Sequence, residues 1–383
     1  MKSEWQTKKI GEVVDIRRGS SPRPIHKFLA TEGMPWVKIA DATSDTSRYI
    51  WKTNEFIIED GVTKSVKVAP ETLIVSNSAT PGLPKIMKIT ACVHDGWLVF
   101  SNYRGITRDF LYYKFIDIRR TLVNQANGSV FQNLKTDIVK DFDIDIPCIE
   151  TQKKIVEILS QIDEKIELNN AINNNLEQQA QAIYQQMFID NARSNWAEGT
   201  LSDIADITMG QSPSGSSYNE DGTGTIFFQG RAEFGFRFPS VRLYTTEPKR
   251  MARSNDTLMS VRAPVGDLNV AHTDCCIGRG LAAIHSKNNH QSFVLYTMFS
   301  LKKQLDVFNG EGTVFGSINR NSLNEMPILI PSSEKLDEFE ALVSPMDAAI
   351  RNNYDEICRL EQLRDSLLPQ LMSGELDVSD IDI

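Results

Sequence analysis

Two short segments place cysteine beside histidine, a combination that can form a metal site or a thiol nucleophile. They are Cys92-Val93-His94 and the run from His272 to Cys276. Neither has the two-pair ligand spacing of a structural zinc site, and buried cysteines commonly serve packing alone. Core packing is therefore the favoured interpretation, while a nucleophile built from Cys275 and His272 stays open as an enzyme alternative.

Other catalytic signatures are weak or missing. The sequence has no GxxxxGK[ST] phosphate loop, which excludes an ordinary nucleoside-triphosphatase motor. It has no Pro-Pro dipeptide, so the loop with which amino-methyltransferases hold a flipped base is missing. Gly278-Arg279-Gly280 begins a GxGxxA pattern, but a polar stretch follows instead of a dinucleotide-binding helix. Asp143, Asp145, Glu150 and Lys153 suit a charged linker better than a nuclease site. We predict no catalytic and no metal-ligating residues.

The elements that would position any site belong to an ordinary globular protein. The chain has 383 residues, 41% hydrophobic and 24% charged, which predicts two or three compact units. No run of residues is apolar enough for a membrane helix, and the N-terminus lacks the apolar stretch of a secretory signal. Five scattered cysteines indicate reduced thiols. We expect a cytoplasmic protein.

The chain contains an internal repeat. Residues 10–22 match residues 201–213 at an offset of 191, with Gly19/Gly210 and Pro22/Pro213 among the identities. Further on the offset becomes 184, pairing residues 128–131 with 312–315. A period this long indicates two copies of a whole domain pair, and hence two similar sites.

Each copy ends in a helical segment with an alternating 4-3 apolar spacing, typical of a coiled-coil seam. The first helix, from about residue 150 to 188, would span roughly 55–60 Å and could act as a ruler. In the second, Ser344-Pro345-Met346-Asp347 resembles a helix start, so we predict a break there. Equivalent asparagines lie in the two seams, where a polar residue can fix register and partner. The predicted seam, which could pair within the chain or with a partner, consists of Ile155, Leu159, Ile162, Ile166, Asn169, Leu176, Ile183, Met346, Ile350, Asn353, Ile357, Leu360 and Leu367.

The globular parts predict an α+β fold, because short β-branched and aromatic runs alternate with Gly, Pro and Ser clusters, and each part has one longer helix. We predict two similar, β-rich domains at 1–148 and 191–331, long helices at 149–190 and 332–376, and an acidic tail at 377–383. The negative charge is concentrated in the helical segments. Residues 1–147 have a net charge of +4, and residues 191–331 have a net charge of zero, in a chain whose total is −9.

Several segments together resemble one known family. The halves open with GEVVDIRRGSSP and SDIADITMGQSP, and each leads to a G-[ST]-V-F segment, an Ile-Pro and a long helix. The second half also contains DTLMSVRAPVGDLNV and IGRGLAAI, and ETQKKIVEILSQID follows the first Ile-Pro. Over essentially its whole length the chain resembles the specificity subunit of Type I restriction-modification systems, usually called HsdS.

The resemblance implies two target-recognition domains, each reading one half of a bipartite DNA sequence, and two helices packed antiparallel as a spacer. It implies two modification subunits, which methylate adenine with S-adenosylmethionine, docked around the helices. Two restriction subunits, which use ATP and Mg, can join them. This chain would be the non-catalytic reader, with no cofactor of its own. The duplication would let one chain recruit two identical partners, one per half-site.

In such a reader, basic side chains neutralise phosphates, and Arg, Lys, Asn, Gln and Ser read base edges. In the first domain the predicted contacts are Arg17, Arg18, Ser20, Ser21, Arg23, Lys27, Asn77, Ser78, Lys85, Lys88, Asn127, Ser129, Gln132 and Lys135. In the second they are Gln211, Ser212, Ser214, Gln229, Arg231, Arg237, Arg262, Arg279, Asn309, Thr313, Ser317, Asn319 and Arg320. Gly19, Gly128, Gly210 and Gly312 are expected to shape the backbone.

A rival hypothesis of another class is a coiled-coil scaffold that joins two protein-binding domains without any DNA role. It predicts that charge reversal at Arg17, Arg18 or Arg231 leaves function intact. The DNA hypothesis predicts the loss of one half-site in each case.

Overall fold

The computed structural model describes residues 5–43, 47–126, 133–193, 196–310, 316–378 and 381. It divides into unit 1, Met1–Leu168 with Glu356–Ile383, and unit 2, Asn169–Asp355. Each unit contains one globular domain and a segment of each long helix. The predicted borders at 148/149 and 331/332 separate domain from helix, whereas the compact units divide within the helices.

In unit 1, short strands and helices alternate up to the first long helix. The elements are β1 (Gln6–Lys9), α1 (Ile10–Val13), β2 (Asp15–Arg18), β3 (Leu29–Ala30), β4 (Met34–Val37), α2 (Ile39–Thr43), β5 (Tyr49–Ile50), β6 (Glu55–Ile57), α3 (Glu59–Val62), β7 (Val66–Val68), β8 (Leu73–Ser76), β9 (Pro84–Met87), β10 (Ala91–Val93), β11 (Trp97–Ser101), α4 (Arg108–Ala126), α5 (Thr136–Lys140), β12 (Asp143–Ile146) and α6 (Ile149–Tyr184). A π-helical turn over Gln185–Asp190 extends α6 in unit 2.

Two five-stranded sheets and a two-stranded neck form the domain of unit 1. The strand orders are β3-β6-β4-β10-β7 and β2-β11-β8-β9-β5, and the neck pairs β1 with β12 antiparallel. Strand β8 is buried along its whole length, and α4 buries Phe110, Tyr113 and Phe115 in the same core. Full burial of one such side chain stabilises the fold by about 1.5–3 kcal/mol, so these runs determine which segments become core elements.

The domain of unit 2 is built in the same way. Its elements are β13 (Ala197–Thr200), α7 (Leu201–Ile204), β14 (Ala205–Met209), β15 (Tyr218–Asn219), β16 (Thr225–Phe228), β17 (Leu243–Thr245), β18 (Met251–Ala252), β19 (Thr257–Ser260), β20 (Leu268–Val270), β21 (Cys275–Ile277), β22 (Leu281–Ser286), α8 (Gln291–Ser300), α9 (Lys302–Asp306), α10 (Arg320–Asn324), β23 (Pro327–Ile330) and α11 (Ser333–Met372). Short 3-10 turns lie at Ile25–Lys27 in unit 1 and at Gly215–Ser217, Arg231–Glu233 and Val307–Asn309 in unit 2.

The strand orders of unit 2 repeat those of unit 1. Its sheets run β14-β22-β19-β20 and β15-β17-β16-β21-β18, and β13 pairs with β23 as a neck. The sheet that contains β4 in unit 1 corresponds to the sheet that contains β16 in unit 2. Each includes a parallel pair, β4 with β10 and β16 with β21. Strand β5, at the edge of its sheet in unit 1, has no counterpart among the strands described in unit 2. The predicted α+β fold and its duplication are confirmed.

The predicted break in the second long helix is wrong. Helix α11 runs without interruption from Ser333 to Met372, through Pro345. Proline has no backbone N–H and its ring crowds the preceding turn, but one such defect can be outweighed by the packing of a long apolar face. Val343 and Ile350, on either side of Pro345, are both buried in the core of unit 2.

The predicted seam side chains are turned into the protein. In unit 1, Ile162 and Ile166 of α6 pack with Ile357 of α11, while Ile155 and Leu159 enter the core of the domain. Lys165 pairs with Glu356 at 3.4 Å, and Asp163 accepts a 3.2 Å hydrogen bond from Arg364. From Asp163 to Lys165 along α6, the partner on α11 changes from Arg364 back to Glu356, so the two helix segments are antiparallel.

The same pairing continues within unit 2. Ile350 is buried there, and Leu176, Ile183 and Met346 are partly buried against the same core. In unit 1, Leu360 and Leu367 are partly buried against the cluster of Ile162, Ile166 and Ile357. Both seam asparagines take part in the packing of unit 2. Asn353 donates a 2.8 Å hydrogen bond to Asn173, and Asn169 is buried.

Candidate nucleic-acid interface

Four segments of unit 2 meet at one end of the sheet β14-β22-β19-β20. One follows β14, one follows β19, one precedes β22, and the fourth precedes α10. Backbone hydrogen bonds join them: Gly210 N–H donates to Leu281 at 2.9 Å, Val261 to Gly280 at 2.9 Å and Ile318 to Val261 at 3.1 Å. We call this the loop end of unit 2. Its segments are held by the backbone, so their side chains project from a fixed frame.

Unit 1 has the same loop end. Gly19 N–H donates to Trp97 at 2.8 Å, Asn77 to Gly96 at 2.8 Å and Leu134 to Asn77 at 2.8 Å. The donors and acceptors correspond to those of unit 2 at the repeat offsets of 191 and 184. The frame is therefore duplicated, and the two loop ends differ in the side chains they carry.

Glycine is required where the first segment meets the turn before the central strand. A Cβ on Gly19 would lie 2.1 Å from the His94 carbonyl oxygen, and one on Gly210 would lie 2.1 Å from that of Gly278. No side chain can be accommodated at such distances. The prediction that Gly19 and Gly210 shape the backbone is confirmed.

The loop end of unit 2 contains an open cleft of about 420 Å³ lined by Arg262, Arg279, Ser317 and Asn319, among others. Both arginines are exposed, and their guanidinium groups have no hydrogen-bond or ion-pair partner among the residues that the structure describes. The backbone around them is fixed, because Arg262 bridges to Ser317 and the Arg279 amide donates to Ser212 Oγ at 3.2 Å. The cleft thus presents two exposed arginine side chains on a backbone that hydrogen bonds hold in place.

The loop end of unit 1 is organised around Asp95, which corresponds to Arg279. Ser21 Oγ donates to its carboxylate at 2.7 Å and Arg23 pairs with it at 3.1 Å, while Arg18 donates to its backbone carbonyl at 2.7 Å. Hydrogen bonds outweigh the effect of partial burial and lower the pKa of Asp95. This carboxylate was missed by the sequence analysis, although the offset of 184 from Arg279 could have identified it.

The remaining predicted contacts of unit 1 differ in exposure. Arg17 is exposed and donates to the Lys67 carbonyl at 3.3 Å, and Ser20 Oγ donates to the Lys64 carbonyl at 3.1 Å. Lys27 and Lys135 are exposed, and Ser78 is half-buried. Lys88 is half-buried, pairs with Glu71 at 2.6 Å and lies over the Tyr49 ring.

Three of the predicted contacts do not fit a role in touching DNA, because they are buried and bonded within their own unit. Asn77 donates to the Asp95 carbonyl at 3.1 Å. Lys85 donates to the Ser47 carbonyl. Arg237, 4% exposed, binds Asp347 and Tyr296. We leave these three out of the interface.

In unit 2 the other predicted residues surround the cleft or serve the backbone frame. Gln211, Ser214, Gln229 and Arg320 are exposed. Arg231 is paired with Asp267, and Asn309 Oδ1 accepts the Val265 amide at 2.5 Å. Asn319 caps α10 by accepting the Ser322 amide at 2.9 Å. The predictions that lie outside the described residues are Asn127, Gly128, Ser129, Gln132, Gly312 and Thr313.

The cysteines of the enzyme alternative are packed as core residues. Cys275 is fully buried in the apolar cluster of unit 2, and burial raises the pKa of its thiol to about 12. His272 Nε2 is hydrogen-bonded to Asp355 at 2.7 Å. Cys92 is fully buried too, and burial raises the pKa of its thiol. A protonated, buried thiol is a poor nucleophile.

Two further findings concern ligands and membranes. Over the ranges that the structure describes, no group of three His, Cys, Asp or Glu side chains is arranged to hold a metal ion. Nor does any helix in those ranges combine the length and the apolar character needed to cross a bilayer.

Known proteins match the chain over most of its length. A specificity subunit of the type I restriction enzyme MjaIX from Methanocaldococcus jannaschii is 25% identical, with 99% of this chain and 95% of that protein covered. A protein described as the MjaX specificity subunit of the same organism is 31% identical over 284 residues, which span 70% of this chain and 65% of that protein. The crystal structure of a Type I restriction-modification S subunit from M. genitalium has the same fold, with a TM-score of 0.62, 16% identity, and coverage of 97% and 96% of the two chains.

The model of the family "Type I restriction modification DNA specificity domain" matches twice, at residues 2–178 and 193–361. The two matches coincide with the two copies of the repeat, each with its loop end and its long helix. This chain therefore belongs to the Type I restriction-modification DNA specificity family.

Proposed function

We propose that this chain is the DNA specificity subunit of a Type I restriction-modification complex, working in the cytoplasm. Each loop end reads one half of a bipartite target. The observation that carries the proposal is the duplicated loop end, which in unit 2 presents Arg262 and Arg279 on a fixed backbone, with no ion-pair partner among the residues that the structure describes. Arginine reads guanine with two parallel hydrogen bonds, and a fixed backbone gives such a contact its geometry.

The two loop ends are suited to different sequences. Position 95 of unit 1 carries a carboxylate, which can accept from the amino group of cytosine, whereas the equivalent Arg279 can only donate. One frame with opposite chemistry at a matched position is what an asymmetric, bipartite target requires.

The helices supply a surface for the modification subunits in this proposal. Their seam side chains are used within the chain, but α6 leaves Leu168 and Ile172 exposed, and α11 leaves Leu342 and Leu363 exposed. Exposed leucine and isoleucine on long helices favour docking of other proteins. Two modification subunits that bind S-adenosylmethionine would methylate adenine, and two restriction subunits could join them.

The first test is strand-resolved mapping of methylated adenines in the native host, with the gene intact and deleted. We expect one bipartite motif to disappear on deletion. An unchanged map in a host whose modification subunits are expressed would contradict the proposal and favour the scaffold hypothesis.

The second test is Arg279→Ala in the assembled methyltransferase, with Arg193→Ala as the control. Arg193 is exposed in the same unit and does not line the cleft. A lost base contact lowers discrimination at one position by about 1–3 kcal/mol, so we expect the half-site read by unit 2 to relax at that position. The other half-site should not change. A uniform loss at all sequences would assign Arg279 to phosphate, and an unchanged motif and rate would remove it from the interface.

A further inference from the structure

In unit 1 a buried arginine, a tyrosine and an aspartate join the globular domain to the long helices. Arg48, which precedes β5, donates to the Tyr113 hydroxyl of α4 at 3.2 Å. That hydroxyl donates to Asp163 of α6 at 2.7 Å, and Arg364 of α11 donates to the other oxygen of the same carboxylate at 3.2 Å. Arg48 also donates to Glu164 at 2.9 Å.

Unit 2 contains the same cluster. Arg237 donates to the Tyr296 hydroxyl of α8 at 3.1 Å and to Asp347 of α11 at 3.0 Å. Tyr296 donates to Asp347 at 3.0 Å. Glu177 of α6 lies 3.0 Å from the Arg237 guanidinium, an ion pair without the geometry of a hydrogen bond. We call each set the Arg–Tyr–Asp cluster of its unit.

The two arginines occupy the same place in the fold. The Arg48 carbonyl accepts the Ile86 amide at 2.9 Å, and the Arg237 carbonyl accepts the Val270 amide at 2.8 Å. Ile86 and Val270 correspond at the offset of 184. The arginines are 189 residues apart and the tyrosines 183, so the cluster is present in both units although the loops that lead to it differ in length.

Stability alone is a weak reason for such a cluster. Arg48 and Arg237 are 8% and 4% exposed, and Nε of each lacks an acceptor among the described residues. Buried ion pairs often contribute no more than apolar residues of the same volume, and an unsatisfied buried donor adds a cost. These ion pairs instead fix an orientation, because a planar guanidinium binds its partners in one geometry.

The tyrosines keep the protons that this geometry needs. Burial, supported by the Asp163 carboxylate, raises the pKa of Tyr113 well above its ordinary value. Burial also raises the pKa of Tyr296, and Asp347 adds to the effect. Each hydroxyl therefore remains a donor to its aspartate at neutral pH.

We infer that each Arg–Tyr–Asp cluster fixes the orientation of its globular domain on the long helices of its unit, and thereby restricts the spacing between half-sites that the complex accepts. Arg48, Tyr113, Asp163, Arg237, Tyr296 and Asp347 are positioning residues in this inference, which rests on the proposed function.

The size of one base-pair step gives the physical reason. Moving a half-site by one base pair displaces it by about 3.4 Å and turns it by roughly 35° around the DNA axis. A domain can follow only if it moves on its helices by a similar amount. The cluster bonds are 2.7–3.2 Å long, so such a movement would break them.

The experiment compares Tyr113→Phe and Tyr296→Phe in this chain, assembled with its modification subunits. Adenine methylation is measured on duplexes that carry both half-sites at the native spacing or at one base pair more or less. Tyr103→Phe is the control, because Tyr103 packs in the core of unit 1 and its hydroxyl has no hydrogen-bond partner among the described residues, so the change leaves every bond of the cluster intact. Asp163→Asn is a second variant, which removes the charge and keeps the shape.

We expect the preference for the native spacing to fall at least about fivefold in Tyr113→Phe and Tyr296→Phe, and further in Asp163→Asn. Tyr103→Phe should keep the wild-type preference. Equal loss of methylation at all spacings, or an unchanged preference, would overturn the inference while the proposed function stands. A wild-type complex without any spacing preference would overturn both.

Discussion

At the scale of residues, the two loop ends show how one backbone can carry two chemistries. Ser21 and Ser212 each face the amide of the residue at the tip of the facing turn, at 3.4 and 3.2 Å. That tip residue is Asp95 in one unit and Arg279 in the other. The backbone is the same in both units while the side chain at the tip differs. The stability of the domain is therefore separate from the identity of the bases that we propose it contacts.

The same frame predicts a strong effect of a single methyl group. Gly210→Ala would place a Cβ 2.1 Å from the Gly278 carbonyl oxygen, so the segments must move apart. Overpacking of this kind costs about 1–3 kcal/mol, which denaturant unfolding would show as a lower free energy of unfolding. Gly215→Ala is the control, since its Cβ would meet nothing within 4 Å. Equal stability of the two variants would contradict the assigned role of Gly210.

Residue types indicated the correct loops, but they could not say which side chains turn inward. The prediction for Arg237 came from its residue type, and the fold buries it against α11. Long cationic side chains are almost never buried without partners, and one partner of Arg237, Asp347, lies 110 residues away in the sequence. Local sequence contains no information about such a distant pairing.

At the scale of elements, apolar patterning identified the strands well. Strands β7, β8, β11, β16 and β19 lie on the short β-branched and aromatic runs from which the sequence predicts a β-rich fold. The error at Pro345 came from a local rule. A Ser-Pro-x-Asp motif favours a helix start, but the continuous seam on both sides of it has the larger energy.

Helix α11 therefore carries a local defect that can be measured. Pro345 is exposed, and replacing it with alanine restores a backbone N–H that can bond to the carbonyl of Ala341. We expect Pro345→Ala to raise the free energy of unfolding by about 1–3 kcal/mol in thermal or denaturant melts. Ser344→Ala, at the neighbouring exposed position, should change it by less than about 0.5 kcal/mol. A loss of stability in Pro345→Ala would mean that the helix depends on the geometry that proline imposes.

At the scale of the whole molecule, charge and organisation have to be considered together. The domains and helices were predictable because the repeat offsets recur along the entire sequence. The unit borders at 168/169 and 355/356 were not, since each falls inside an unbroken apolar seam. Nothing in a continuous helix marks where its contacts change from one compact unit to the next.

The net charge of −9 leads to a prediction about the isolated chain. We expect it to bind its target weakly, with a fall in affinity of about 10- to 100-fold between 50 and 200 mM salt, because basic partner subunits are needed to complete the DNA-binding surface. Fluorescence anisotropy on a labelled duplex would measure this, with and without the modification subunits. Equally tight, sequence-specific binding in both cases would show that the chain needs no partner to complete its DNA-binding surface.

The necks have a consequence for inheritance. Strand β1 pairs with β12 so that Gln6 faces Ile146, and β13 pairs with β23 so that Ala197 faces Ile330. Paired residues of antiparallel strands lie about 4.5–5.5 Å apart, so the chain enters and leaves each globular domain at one point. A gene segment between two such points encodes a self-contained cassette. Exchanging it by recombination would transplant a domain while leaving the helix that follows it untouched.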